Sequence, residues 1–172
     1  MLSETEKAWM AGFTDGEGCI TICCQIRKNR PSPSHRVFIA ISNTRKIALD
    51  IFKSNYKGEI YETNEKRKNK AGMNWANAWG WYCPVSSSLA FLNDILPYLK
   101  IKREQALIAL EFINMKQCLR ERRPTGRWGG SSSLIPAELE KREKLRIRIQ
   151  LLNAKGKLYN QVRLNEQLKH GK

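Results

Sequence analysis

The stretch Trp9-Met10-Ala11-Gly12-Phe13-Thr14-Asp15-Gly16-Glu17-Gly18 constrains this chain more than any other. It reads as a helix that ends and runs directly into a strand. Ser3 supplies the start, because Glu6 three residues later completes an S-x-x-E capping box in which each side chain satisfies a backbone amide of the other. Met10 and Phe13, three apart, mark a buried helical face. Gly12 and Gly16 lie four apart on one face, with Ala8 a turn earlier, and three small residues let a second backbone come close. Asp15 and Glu17, separated by one glycine, fall where the helix unwinds. A capped helix followed by a glycine-rich turn has the same pattern, so the stretch alone does not separate packing from chemistry.

Bulk charge points to a partner. A net charge of +15 on 172 residues makes a polyanion the expected ligand, with nucleic acid the default. No run approaches the roughly 20 apolar residues of a membrane span, and the N-terminus does not resemble a signal peptide. The five cysteines are an odd number, with Cys23 and Cys24 adjacent. There is no C-x-x-C, and His35 and His170 are far apart, so no Cys/His zinc spacing is present. Free thiols in a reducing compartment are expected, placing the chain inside the cell, in cytoplasm, nucleoid or an organelle matrix. The length suits one domain able to bury roughly 70% of its unfolded surface.

Gly18 to Arg27 alternates as a strand, with Ile20, Ile22, Cys24 and Ile26 facing the core and Cys19, Thr21, Cys23, Gln25 and Arg27 opposite. Lys28 to Ser34, with two prolines, is a loop that includes Arg30. A second strand, Arg36 to Asn43, sets Val37, Ile39 and Ile41 against Arg36, Phe38, Ala40 and Ser42. The outer faces of this pair form a ribbon of the kind the DNA major groove admits, and Arg and Gln can contact G and A bidentately. Thr44 is the expected cap of a helix over Arg45 to Asn55, with Ile47, Ile51 and Leu49 or Phe52 in its core. A third strand, Glu59 to about Asn64, carries Tyr61 and leads into the basic turn Lys66-Arg67-Lys68-Asn69-Lys70-Ala71-Gly72, placed to meet phosphates. A fourth strand from about Asn74 to Cys83 puts Trp75, Trp79 and Trp81 on one side and Tyr82 on the other, with the buried side left open.

Pro84 breaks that strand, and Ser86 or Ser87 caps a helix through Leu89, Phe91, Leu92 and Leu96. The next helix, Arg103 to about Leu119, carries Ala106, Leu107, Leu110, Ile113 and Met115. This order gives an α+β fold: αββαββα with a four-stranded antiparallel sheet and a basic C-terminal helical extension. From residue 100 onward there are 18 Lys/Arg against 7 Asp/Glu, so +11 of the net charge lies there. Arg120 to Ser133, with Arg122, Arg123 and Arg127, reads as a basic loop, and Pro136 starts a helix to about Asn153 with Leu145, Ile149 and Leu152 as its stripe. The expected organisation is a core over 1–119 and an extension over 120–172 packed on the same domain.

The residues Met10-Ala11-Gly12-Phe13-Thr14-Asp15-Gly16-Glu17-Gly18 resemble the signature of the LAGLIDADG homing endonucleases with one motif per chain. The likeness continues through Ala40-Ile41-Ser42-Asn43-Thr44 and returns in Leu96-Pro97-Tyr98-Leu99-Lys100-Ile101-Lys102-Arg103-Glu104-Gln105-Ala106, covering residues 4–118. The resemblance implies a homodimer joined through Ala8, Gly12 and Gly16, with the sheets lying over double-stranded DNA. It implies that Glu17, with the Gly16 carbonyl, binds a divalent metal, Mg²⁺ or Mn²⁺, and that Lys102 stands beside the active site, while Asp15 is largely structural. Arg45 falls where the family positions the attacking water; a guanidinium has no acceptor, so a phosphate clamp is the role open to it. The DNA-contacting set expected on this basis is Thr21, Cys23, Gln25, Arg27, Lys28, Arg30, Arg36, Phe38, Ser42 and Tyr61, with Lys66, Arg67, Lys68, Lys70, Arg122, Arg123 and Arg127 on the basic loops. The implied activity is metal-dependent, site-specific cleavage of both strands at a long near-palindromic site, as an intron-encoded enzyme. The alternatives are an RNA-splicing maturase and a non-catalytic sequence-specific DNA-binding protein of the same fold.

Overall fold

The computed structural model describes residues 2–28, 32–63, 78–121 and 135–154, with only the backbone described at 63 and 119–121. The elements are α1 (Glu4–Glu17), β1 (Gly18–Gln25), β2 (Ser34–Asn43), α2 (Lys46–Tyr56), β3 (Glu59–Thr63), β4 (Ala78–Tyr82), α3 (Val85–Ile95), α4 (Arg103–Glu121) and α5 (Pro136–Asn153). The four strands form one sheet in the order β1-β2-β4-β3. β4 pairs antiparallel with β2 (Ile41 opposite Trp81) and with β3 (Ile60 opposite Trp81). The α+β order expected from the sequence is therefore present. Among the described residues no helix is long and apolar enough to cross a membrane.

The chain divides into two compact units. The first comprises residues 1–20 and 38–103, and its core is aromatic. Phe52 of α2 meets Trp81 of β4 at 5.3 Å between ring centroids, Phe13 of α1 at 5.7 Å and Phe91 of α3 at 6.1 Å. Tilted and edge-on pairs at these distances suit the ring quadrupoles. Trp81 is fully buried and its indole N–H donates to the Lys57 carbonyl at 2.8 Å, so the burial leaves no polar atom stranded. Tyr56 likewise donates its hydroxyl proton to Asp94 at 2.8 Å. The second unit, residues 21–37 and 104–172, buries Ile22 and Val37 of the hairpin, Ala106, Ile108, Ala109 and Phe112 of α4, and Leu145, Ile147 and Ile149 of α5. Within α5 the buried Arg142 and Glu138 form an i,i+4 ion pair.

Local signals placed most elements. Ser3 accepts from the Glu6 amide and the Glu6 carboxylate accepts from the Ser3 amide, so the capping box is real. Pro136 opens α5, where its missing N–H costs nothing. Period-two burial holds at Ile20 and Ile22 and at Val37, Ile39 and Ile41.

Several expectations fail for identifiable reasons. β1 ends at Gln25, so Ile26 lies past the sheet and is 87% exposed. β2 starts at Ser34, two residues earlier than expected, and its inward alternation takes in the buried His35. Arg45, not Thr44, occupies the N-cap of α2, because the Asn43 side chain takes the Arg45 amide at 2.8 Å. That helix buries Leu49, Phe52 and Tyr56, leaving Ile47 74% and Ile51 39% exposed on another face. α3 begins at Val85, ahead of both serines proposed as its cap, with Pro84 at the N-cap and no side-chain cap bond. In α4 Leu107 is 46% exposed, and in α5 Leu152 is 40% exposed. The expected residues Asn64, Lys66, Arg67, Lys68, Lys70, Asn74 and Trp75, with Arg30 and the basic loop of Arg122, Arg123 and Arg127, lie outside the described residues.

The α2–β3 link is the tightest turn. Gly58 has φ +91°, and a Cβ there would stand 2.3 Å from the Tyr82 carbonyl oxygen and 2.9 Å from Trp81 Nε1. Gly58→Ala should therefore lower unfolding free energy by at least about 2 kcal/mol, from backbone strain and overpacking together. Urea denaturation measures this, and a loss below about 0.5 kcal/mol, the range of a neutral surface change, would contradict the reading.

Candidate functional site

The last turn of α1 ends on Glu17, and Gly18 is already extended at φ −89° and ψ 160°, donating its amide to the Thr14 carbonyl. A Cβ on Gly18 would lie 2.6 Å from that same carbonyl, so the passage from helix to strand without a linker requires glycine. Thr14 is fully buried and its hydroxyl donates to the Met10 carbonyl at 2.7 Å. Its side chain is thus satisfied within the helix, and the last turn is held from inside while Gly16 and Glu17 remain exposed.

Asp15 turns the other way. Its carboxylate accepts three consecutive backbone amides of the turn before α4: Lys100 at 2.8 Å, Ile101 at 3.1 Å and Lys102 at 2.9 Å. The Lys102 ammonium returns the contact by donating to the Asp15 carbonyl oxygen. The structure therefore brings Lys102 to the turn of α1 that ends in Gly16 and Glu17, although 85 positions separate Lys102 from Glu17 in the chain. Burial pushes the Asp15 carboxyl up. The amides of Lys100, Lys102 and Ile101 and the charge of Lys102 together outweigh it and hold the group below its ordinary 3.8.

The small-residue face of α1 is open. Ala8, Gly12 and Gly16 are exposed, and a Cβ built on either glycine meets nothing within 4 Å. A glycine inside a helix costs roughly 0.5–1 kcal/mol relative to alanine. In the single chain neither Gly12 nor Gly16 has a steric return for that cost, whereas Gly18 does.

Other expected residues are placed as follows. Arg45 is exposed at the N-cap of α2, and among the described residues its guanidinium makes no bond to the Asp15–Lys102 group. In the first unit, Phe38 of β2 and Tyr61 of β3 each meet Tyr82 of β4 in a tilted ring contact, both with centroids 5.5 Å apart, and Ser42 is exposed. Tyr82 is the member of this row that the sequence did not single out. Its signal was its place opposite Trp81, readable only once Trp81 is known to be buried. In the second unit, Arg27, Lys28 and Arg36 are exposed, and Thr21, Cys23 and Gln25 half-buried. The Arg27 guanidinium donates to the Gln25 side chain at 3.4 Å, so these two point the same way.

No protein-family model matches the chain. Over 112 residues it is 35% identical to DNA endonuclease I-CvuI of Chlorella vulgaris; the aligned stretch covers 62% of this chain and 62% of that protein, so the chain spans under two thirds of the curated relative's length. The crystal structure of homing endonuclease I-CvuI in complex with its target in the presence of calcium superposes with a TM-score of 0.61, at 25% identity, covering 97% of this chain and 96% of that one. The archaeal intron-encoded homing endonuclease I-Vdi141I complexed with DNA superposes with a TM-score of 0.66 over 96% of this chain and 98% of that one. At 14% identity, this last likeness is one of fold.

The Asp15 clamp has a testable pH signature. The folded carboxyl titrates below 3.8, so the folded chain binds fewer protons than the unfolded one near that pH. Its stabilisation is complete above the unfolded value and is lost as pH falls through the lowered folded one. Asp15→Asn should lower stability at neutral pH by about 1 kcal/mol after discounting for solvent screening, and should flatten the acid limb of the stability profile. Urea midpoints between about pH 6 and about pH 2.5 test this; parallel profiles for the two proteins would refute it.

Proposed function

We propose that this chain, which is similar to LAGLIDADG homing endonucleases, is a divalent-metal-dependent endonuclease that cuts both strands of double-stranded DNA at a specific site as a homodimer. The observation that carries this reading is the Asp15 clamp, which puts Lys102 on the acidic last turn of α1, beside the open glycine face. A second copy seated on Ala8, Gly12 and Gly16 would bring its own Glu17 near the first. Two such carboxylates repel unless a proton or a cation intervenes.

The donors at this turn are the Glu17 carboxylate and the Gly16 carbonyl, all oxygen, which suits a hard cation such as Mg²⁺ or Mn²⁺ completed by phosphate and water. The chemistry such a cation supplies when bound is activation of water and stabilisation of the leaving oxygen. Glu17 would hold the cation, with the Gly16 carbonyl beside it. Lys102 offers a positive charge where negative charge develops on the phosphate, and Asp15 orients the turn that carries it. Arg45 clamps a phosphate, since it can donate but cannot accept a proton.

Target choice belongs to the strands. Gln25, Arg27 and Arg36 read base edges, Thr21, Cys23, Phe38, Ser42 and Tyr61 contact the groove, and Lys28, Arg30 and the basic loops engage phosphates. A symmetric dimer reads two like half-sites, so the target is near-palindromic. Residues 1–119 form the catalytic core and 120–172 add basic surface. The setting is intracellular, a reading supported by five cysteines that are all free thiols.

Cleavage of a plasmid carrying the insertion site of the encoding intron, in the presence of Mg²⁺, is the direct test. Glu17→Gln should reduce the rate at least about 100-fold, as loss of an electrostatic catalytic group does. A variant that cuts as fast as wild type would overturn the assignment, and tight Mg²⁺-independent binding to RNA in preference to duplex DNA would favour the maturase reading instead. In sedimentation velocity the wild type should be a dimer and Gly12→Leu a folded monomer, because a Cβ at that position meets nothing within 4 Å in its own chain. A monomeric wild type would refute the architecture. DNA affinity should fall steeply with salt, with a log–log slope of about −0.9 per neutralised phosphate; a flat response would remove the basic loops from the interface.

A further inference from the structure

A cluster of metal-ligating side chains lies in the second unit. Cys24 of β1, His35 of β2 and Glu143 of α5 each offer a ligand atom, and all three atoms lie within 4.8 Å of one another. His35 Nε2 is already 3.0 Å from Glu143 Oε2. In a tetrahedral zinc centre, bond lengths of about 2.0–2.3 Å put ligand atoms about 3.3–3.8 Å apart, so closure requires movements of roughly 1 Å.

The histidine end of this cluster is buried. The His35 side chain is 1% exposed, and its second ring nitrogen, Nδ1, is buried with no hydrogen-bond partner. Leaving such an atom unsatisfied costs about 1–3 kcal/mol. Glu143, by contrast, is held as a metal-binding carboxylate usually is. Arg146 Nε donates to both of its oxygens at 2.9 Å, and Arg146 is itself fixed by donating from Nη1 to Gln150 at 2.9 Å. The three ligands line an open cleft with Pro33 and Leu139, which gives an ion a way in.

We propose that Cys24, His35 and Glu143 form a site for a zinc-type divalent cation. The donor set decides the class. A thiolate and an imidazole beside one carboxylate select Zn²⁺ over Mg²⁺ or Ca²⁺, which prefer oxygen alone. The site is therefore chemically separate from the all-oxygen turn at Glu17. Three protein ligands leave the fourth tetrahedral position to solvent. Cys24 and Glu143 balance the two positive charges, and the thiol proton leaves to bulk water on binding. The cation would cross-link the two hairpin strands to α5, three segments whose ligands are 11 and 108 positions apart in the chain.

Titration of metal-free, full-length protein with Co²⁺ and then Zn²⁺ tests this. The expected result is one Co²⁺ per chain with a thiolate-to-cobalt charge-transfer band in the near ultraviolet, displaced by Zn²⁺, and a higher unfolding temperature with Zn²⁺. The oxygen donors at Glu17 cannot give that band. Cys24→Ser, with its fold checked by circular dichroism, should abolish the band and weaken Zn²⁺ binding at least about 100-fold, while Cys23→Ser should keep both. Should Cys24→Ser fail to fold, Glu143→Gln should weaken Zn²⁺ binding at least about tenfold with the thiolate band retained. Absence of a thiolate band in the wild type, its persistence in folded Cys24→Ser, its loss in Cys23→Ser, or unchanged Zn²⁺ affinity in Glu143→Gln would each overturn the proposal.

Discussion

One carboxylate organises the site. Asp15 accepts the amides of Lys100, Ile101 and Lys102, three donors in a row just ahead of α4. Backbone amides of a turn outside a helix have no partner in its ladder, and an anionic acceptor is the strongest that can be supplied. By satisfying them, Asp15 fastens a turn from late in the chain onto the end of its first helix. Everything proposed for the chemistry depends on that fastening, because it sets where the Lys102 ammonium stands. The carboxyl that matters most for position is therefore not the one assigned to bind metal.

α1 divides its labour by face, and each face has its own physics. Met10, Ala11 and Thr14 are fully buried, and Phe13 extends the aromatic cluster around Phe52. Ala8, Gly12 and Gly16 present backbone with nothing over it, a surface that gains only when another helix covers it. The end carries Asp15 inward to its clamp and Glu17 outward. Gly18 makes these roles compatible by letting the helix stop and the strand begin in a single residue. A side chain there would push the Thr14 carbonyl away and shift the acidic turn with it.

Features written in neighbouring residues were legible from the sequence. The Ser3–Glu6 box, the Pro136 start of α5 and the alternation of β1 and β2 depend on spacings of two to four, and all are present. α2 shows the limit of periodicity. Ile47 and Ile51 form one helical stripe and Leu49, Phe52 and Tyr56 another, and only the position of the sheet decides which is buried. The resemblance marked Asp15 as largely structural, but the partners that make it so were illegible, being 85 to 87 residues away on amides that carry no side-chain signature. The Cys24, His35 and Glu143 cluster was hidden likewise, since no local metal-binding spacing contains it. The resemblance marked Glu17 in the family word and Lys102 in the later stretch but left unstated what positions Lys102 at the end of α1.

The most direct test of the clamp as the organising contact is a double-mutant cycle on single-turnover DNA cleavage, combining Asp15→Asn with Lys102→Met. If Asp15 acts by placing Lys102, its substitution should slow cleavage at least about tenfold in the wild-type background and change little once Lys102 is gone, a coupling of about 1.4 kcal/mol or more. Losses that multiply in the double variant would contradict the account, since they would mean that the two residues serve the reaction independently.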